Sequence, residues 1–321
     1  MADSETAQTA VGSRRPGAVT IIGIVSVLIA LMLLAFLTPA INSGARDIPL
    51  ALSAPDAVKP ALTQKIEESG AFTVVDAYSL DDAEGRVKSR EAVGAVSVSP
   101  AGTTITIASG AGAPYAVALT GMASQLKAEG QDVTVNDVAP MTSQDPQGVG
   151  LASAVLPLIF GGMASAVLLA TQLKSVGKRT LGAIGVAVLG GLVAAAIMQP
   201  WFHAVDGSFW LLWAGLGLGI LAISSTVLGL FSVLGFAGLG LGAVLILFVS
   251  NPLSGIAAGP QWLPGGWGAF GQLLPVGAAG TFLRSAAYFD GRGLGISPWV
   301  LVAWILAGLV LIAVGARRRS S

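Results

Sequence analysis

Few side chains here have the type and spacing to do chemistry. The 321 residues include one histidine and no cysteine, which removes thiolate nucleophiles, disulfides and thiolate metal sites. His203 stands in a short polar segment with Trp201 and Asp206. A single histidine cannot serve both a hydrolytic triad and a metal site, and this one reads as an interfacial residue. Ser124-Gln125-Leu126-Lys127 and Ser175-Val176-Gly177-Lys178 have Ser-x-x-Lys spacing but lack the Ser-Asp-Asn and Lys-Thr-Gly companions of acyl-transfer enzymes. Gly177-Lys178-Arg179-Thr180 looks like the end of a P-loop. However, Gln172 replaces the upstream glycine, and Arg179 stands where a hydroxyl must meet magnesium. Asp76, Asp81, Asp82 and Glu84 cluster without the Asp-x-Asp-x-Asp-Gly order that wraps calcium, so helix caps and solvated faces are expected. No catalytic, cofactor or metal site emerges, and an enzyme is the weakest functional class.

The elements that would position any site are mostly lipid-facing. Hydrophobic residues make up 54% of the chain, charged residues 11%, and mean hydropathy is +0.78. Soluble domains carry about 25% charged residues, so a polytopic α-helical membrane protein is the expected class. A formal net charge of zero argues against nucleic acid. Each crossing needs about 20 apolar residues. Such runs fall at 19–37, 149–173, 181–198 and 299–314, while 209–249 is long enough for two crossings with a tight turn. None contains an Asp, Glu, Lys or Arg, so a proton-coupled mechanism has no titratable carrier in the bilayer. Ser13-Arg14-Arg15 slightly resembles an export signal, but the run behind it suits an uncleaved anchor. Glycines at Gly215 and Gly219, and at Gly238, Gly240 and Gly242, imply helix contacts.

Arginine and lysine set the orientation. Six transmembrane helices place Arg14/Arg15, Lys174/Lys178/Arg179 and Arg317/Arg318/Arg319 all on the cytoplasmic side. The expected layout is a cytoplasmic tail to 18, helix 1 at 19–38, an extracytoplasmic domain at 39–148, a five-helix region at 149–316 and a cytoplasmic tail at 317–321. The segment 251–290, rich in proline and glycine, is expected to be a re-entrant hairpin in the outer leaflet rather than a seventh span.

The polar segment 42–147 alternates strand and helix signals and is expected to form one small α/β core. Strands are expected at 48–52, 72–78, 92–98, 103–108 and 133–138, and helices at 55–68, 79–88 and 115–129. Ser79-Leu80-Asp81-Asp82 has capping-box spacing, and Ser99-Pro100-Ala101-Gly102 reads as a hairpin turn.

Asn251-Pro252-Leu253-Ser254-Gly255, Leu263-Pro264-x-x-Trp267, Gly271-Gln272-Leu273-Leu274-Pro275-x-Gly277-Ala278, Leu283-Arg284 and Tyr288-Phe289 resemble the last extracytoplasmic hairpin of ABC-2-type transporter permeases. The layout is similar to the phage-infection-protein-like branch, which has a large outer domain after span one. The likeness covers nearly the whole chain in layout and about forty residues in motif. It implies a dimer of permeases, homomeric or heteromeric, in the plasma membrane with both termini cytoplasmic, and a separate P-loop ATPase subunit. It also implies a translocation hairpin carrying Asn251, Pro252, Pro264, Trp267, Gly271, Leu274, Pro275 and Arg284. By resemblance, the ATPase docks on the loop with Lys174, Lys178 and Arg179. For Arg284 two roles stand open, lining the exit path or snorkelling to the interface. Trp267 and Tyr288 suit the lipid–water boundary. The first functional expectation is therefore an exporter of a hydrophobic or lipid-like molecule. The alternative is a non-transporting envelope scaffold whose outer domain binds a partner.

Overall fold

α1 (Ala18–Asn42) is apolar on every face and exposed along nearly its whole length, a surface suited to lipid rather than water. It is the first element of a computed structural model that describes residues 17–320, so Arg14 and Arg15 lie outside the described residues.

After α1 the chain builds a five-stranded sheet from β1 (Ile48–Ser53), β2 (Phe72–Asp76), β3 (Gly94–Ser99), β4 (Gly102–Ile107) and β5 (Val133–Asp137), in the order β2-β1-β3-β4-β5. Its helices are α2 (Lys59–Glu68), α3 (Leu80–Lys88) and α4 (Ala113–Ala128). All pairings are parallel except β3 with β4, in the register Val96↔Ile105. Right-handed crossovers send α2 and α3 to opposite faces, because β1→β2 and β2→β3 step in opposite directions across the sheet. The reversal at β4 then sends α4 to the α2 face, where the two helices flank Val96 and Val98. That reversal also brings the C-terminal ends of β4 and β5 to the edge where β1 begins. Chain entry from α1 and exit toward the bundle therefore share one edge of the sheet. Ile48, Leu50, Leu52, Ile105 and Leu119 form a fully buried core. The expected strands and helices are all present, with ends shifted by a few residues. Ser79 Oγ accepts from Asp82 N at 3.1 Å, closing the expected cap.

The remainder is a helical bundle of α5 (Val149–Gln172), α6 (Val176–Ala196), α7 (Phe209–Leu234), α8 (Phe236–Ala243) and α11 (Ser297–Ser320). Among the described residues five helices, α1, α5, α6, α7 and α11, are long and apolar enough to cross a membrane, as in a multi-pass membrane protein. α7 is the hub, buried against α5, α6 and α11. Small residues permit its close approaches: a Cβ on Gly229 would sit 2.7 Å from Gly308 O, and one on Gly191 2.8 Å from Gly217 N. Gly215 and Gly219 meet Phe282 and Ala279, while Gly238 and Gly242 meet Leu230 and Val227, as their spacing implies. Gly240 departs from that expectation, with nothing near its missing Cβ.

Three boundaries differ from the sequence reading. α6 begins at Val176, so the expected loop at 174–180 shrinks to 173–175, and Lys178 and Arg179 lie in the first helical turn. The reason is Arg179, whose Nε and a terminal nitrogen donate to Leu173 O (2.7 Å) and Ala170 O (2.9 Å), carbonyls that α5 leaves open at its end. The apolar stretch after Gly235 (φ 62) is the short helix Phe236–Ser250, with π geometry from Val244. The expected tail at 317–321 is helical through Ser320.

Candidate functional site

Between Ser250 and α11 the chain makes a hairpin of short turns, α9 (Trp267–Gln272) and α10 (Pro275–Tyr288). Proline at the first position starts α10 without stranding an N–H. Val276 N is satisfied by Ser250 Oγ at 3.0 Å. Glycine lets the hairpin fold on itself: a Cβ on Gly268 would strike Pro260 O, and one on Gly271 would strike Leu253 O. α10 is buried over most of its length, against α7 and α11 on one side and the sheet domain on the other.

The sheet edge where β4 ends sits directly on this hairpin. Ser109–Ala111 forms a 3-10 turn after β4, and the contact is made at near-backbone distance. A Cβ on Gly110 would lie 2.6 Å from Tyr288 Cβ, and one on Gly112 2.9 Å from Ala258 O; Gly259 passes against the Tyr115 ring. Tyr115 donates to Gln261 Oε1 at 2.9 Å and stands edge-on to Trp262, with ring centroids 5.5 Å apart. Gly44 N donates to Trp262 O at 2.9 Å. Asp145 accepts from Val149 N (2.9 Å) and Gly150 N (2.7 Å), capping α5 where the chain re-enters the bundle.

Two guanidinium groups hold the junction together. Arg284, only 6% exposed, donates to Ala111 O (2.7 Å), Gly110 O (3.1 Å) and Ile256 O. It satisfies carbonyls from both partners that would otherwise be buried without a donor. Arg90 donates from one terminal nitrogen to Ser285 Oγ (2.6 Å) and Thr281 O (3.2 Å), and lies over the Phe289 ring at 5.4 Å. Its backbone is left-handed (φ 63) just past α3, a position that favours glycine, so the fold accepts strain to place this side chain. Burial, reinforced by the Arg284 charge, lowers the Arg90 pKa to about 10; burial likewise raises Tyr115 to about 12. Among the described residues no carboxylate pairs with either arginine. A cavity of about 230 Å³ opens beside Arg90, walled by Val93, Tyr115, Gln261, Gln272, Thr281, Phe289 and Ile296.

The residues expected from sequence distribute as follows. Arg284 faces neither solvent nor the lipid boundary; it is the pin between hairpin and sheet. Tyr288, expected at the lipid–water boundary, instead lies under Gly110, because that glycine leaves room for its ring. Leu274 and Pro275 are buried at the start of α10, Gly271 is buried against Leu253, and Asn251, Pro252 and Pro264 are half-buried turn residues. Trp267 is exposed, at 39%. Lys174 and Lys178 are exposed, whereas Arg179 is buried against the end of α5 and over Phe231 at 5.3 Å. Of the acidic cluster, Asp76 pairs with Lys59 (2.9 Å), Asp82 with Arg86 (3.5 Å) and Glu84 with Lys88 (3.6 Å). His203 is exposed, its Nδ1 2.8 Å from Gln199 O. Sequence reasoning missed Arg90 and Tyr115; in sequence both look like ordinary residues beside helix ends. No protein-family model, no curated protein and no solved structure matches the chain.

Proposed function

We propose that the chain is the membrane subunit of an ABC-2-type exporter, moving a hydrophobic or lipid-like molecule outward while a separate subunit hydrolyses ATP. The observation that carries this reading is the hairpin at 251–288. It is a pair of short helices before the last long one, buried against the hub helix and packed on the domain inserted after α1. In the proposed topology Phe236–Ser250 is a short fifth crossing, giving six with α1, α5, α6, α7 and α11. The sheet domain and hairpin then lie outside and both termini inside, in keeping with the positive clusters at 174–179 and 317–319. The apolar cores of these helices carry no charged side chain, so the energy source is a partner rather than a proton gradient.

The test is retention of an ATPase by protein gently solubilised from its native membrane, together with export that persists when the proton gradient is collapsed at constant ATP. One observation favours the alternative, an envelope scaffold. The sheet presents an apolar groove of about 300 Å³ between α2 and α4, lined by Leu62, Ile66, Phe72, Val98, Met122 and Leu126. An ATPase never retained, with an envelope partner captured by that groove, selects the scaffold.

A further inference from the structure

We propose that the cavity beside Arg90 binds the anionic head, carboxylate or phosphate, of a lipid-like amphiphile whose tail leaves past Ile296 along the start of α11. The inference rests on the membrane reading of α11 and not on ATP-coupled export.

The first ground is uncompensated charge. Arg90 is half-buried at the cavity wall, and a cation drawn that far out of water is ordinarily paired. Arg90 has two neutral acceptors, Ser285 Oγ and Thr281 O, both on one terminal nitrogen. Its Nε and second terminal nitrogen have no protein acceptor among the described residues, and Arg284 adds a second positive group to the same junction. A guanidinium with one edge engaged and the other free is set to clasp a planar or tetrahedral oxyanion through two parallel hydrogen bonds.

The second ground is rigidity. A Cβ on Gly293 would sit 2.7 Å from Arg90 Cβ and Cδ, so the loop backbone clamps the arginine stem from one side while Phe289 supports the guanidinium from the other. Gln272, which also lines the cavity, is already committed to Ser254 O (3.0 Å) and Thr281 Oγ1 (2.5 Å) and cannot serve as counter-group. The site is thus preorganised without its anion, which lowers the ordering cost of binding one.

The third ground is the shape and place of the cavity. At about 230 Å³ it suits a head group and a few methylenes rather than a whole lipid. Beside Arg90 and five neutral polar side chains (Tyr115, Gln261, Gln272, Thr281 and Ser297), the apolar residues Val87, Val93, Pro260, Phe289 and Leu294 complete its walls. Its rim includes Ile296, 57% exposed, one residue before the apolar helix α11 and three before Trp299, 74% exposed. Exposed Ile and Trp at the head of a membrane helix mark the depth at which lipid tails begin. An amphiphile with its head on Arg90 would have its tail at that depth.

The test uses the full chain in phosphatidylcholine nanodiscs and three diazirine-tagged probes: decanoate, decyl phosphate and neutral decanol. Crosslinked peptides are mapped by mass spectrometry. The two anionic probes are expected to label 90–93 and 293–297 at least about tenfold more than decanol, the scale of one charge-assisted pair. Arg90→Gln should reduce them to the decanol level. Ile296→Trp, which leaves Arg90 and its bonds in place while narrowing the mouth, should lower labelling at both segments with the melting temperature unchanged. Millimolar inorganic phosphate should not compete, whereas untagged decyl phosphate should. Equal labelling by decanol, labelling unaffected by Ile296→Trp, or full competition by inorganic phosphate would overturn the proposal; the last would assign a free anion instead of a lipid.

Discussion

Replacing Arg284 with alanine should undock the sheet domain without unfolding it. The wild-type guanidinium serves three carbonyls, those of Gly110, Ala111 and Ile256. Each buried acceptor left without a donor costs about 1–3 kcal/mol, a gross loss of roughly 3–9 kcal/mol. Two gains offset it. The cation no longer has to be held out of water, which itself costs several kcal/mol, and its repulsion with Arg90 disappears. A net loss of about 3 kcal/mol follows, or roughly a hundredfold shift toward the undocked state. The sheet keeps its own core of Leu50, Leu52, Ile105 and Leu119. Hydrogen exchange separates the two effects. The peptide carrying Gly44, whose amide bonds to Trp262 O across the junction, should exchange far faster in the variant, while the β1 peptide at 48–53 stays protected. Arg284→Lys should fall between, because an ammonium cannot fork across carbonyls from two segments. Unchanged protection at Gly44 together with lost export would refute the pin and move Arg284 to an exit path.

Single cysteines at Asp81, Asp206 and Asp290 should react in intact cells with a membrane-impermeant thiol reagent, and those at Ser175 and Ser320 should not; the parental chain has no cysteine, so background is nil. Labelling at Ser320 from outside would reject six crossings. Arg179→Ala should lower stability by about 1–2 kcal/mol through loss of the α5 end-cap, seen in the melting temperature, whereas Lys178→Ala should leave it unchanged. Gly308→Leu should cost at least about 1–3 kcal/mol by overpacking, since a Cβ there already collides with the Ser225 backbone; a variant that melts normally would contradict the α7–α11 contact. Tyr115 titrates near 12 when folded and nearer 10 when unfolded, so the folded state binds more protons between those values. Its contribution is therefore complete below about pH 10 and lost as pH rises through 12, and Tyr115→Phe should lessen alkaline destabilisation in that window.

The sheet domain was legible almost strand by strand because its signals are local. Alternation in Thr103-Thr104-Ile105-Thr106-Ile107, the turn at Ser99–Gly102 and the cap at Ser79 each act within a few residues. The long apolar helices were legible for a different reason, since lipid imposes length and composition directly. The boundaries that shifted were set by tertiary partners. Lys178 and Arg179 read as loop cations because charge next to an apolar run marks an interface, yet Arg179 is drawn into helix α6 by the open carbonyls of α5.

The junction was legible only on one side, and the asymmetry has a physical cause. The hairpin advertised itself through Pro264, Gly271, Pro275 and Arg284, since prolines, close glycines and a charge in an apolar stretch are each costly without a structural reason. The opposing surface carried no such cost in sequence. Arg90 follows Lys88 and Ser89 at the end of a surface helix, where basic residues are favoured for the helix dipole alone. Its left-handed backbone and its missing carboxylate partner appear only when the edge of the sheet is brought onto α10. Antiparallel β4 is what brings Ala111 and Tyr115 to the edge where β3, just past Arg90, begins. The cavity beside Arg90 is thus a consequence of strand direction, a long-range property that no window of sequence around Arg90 contains.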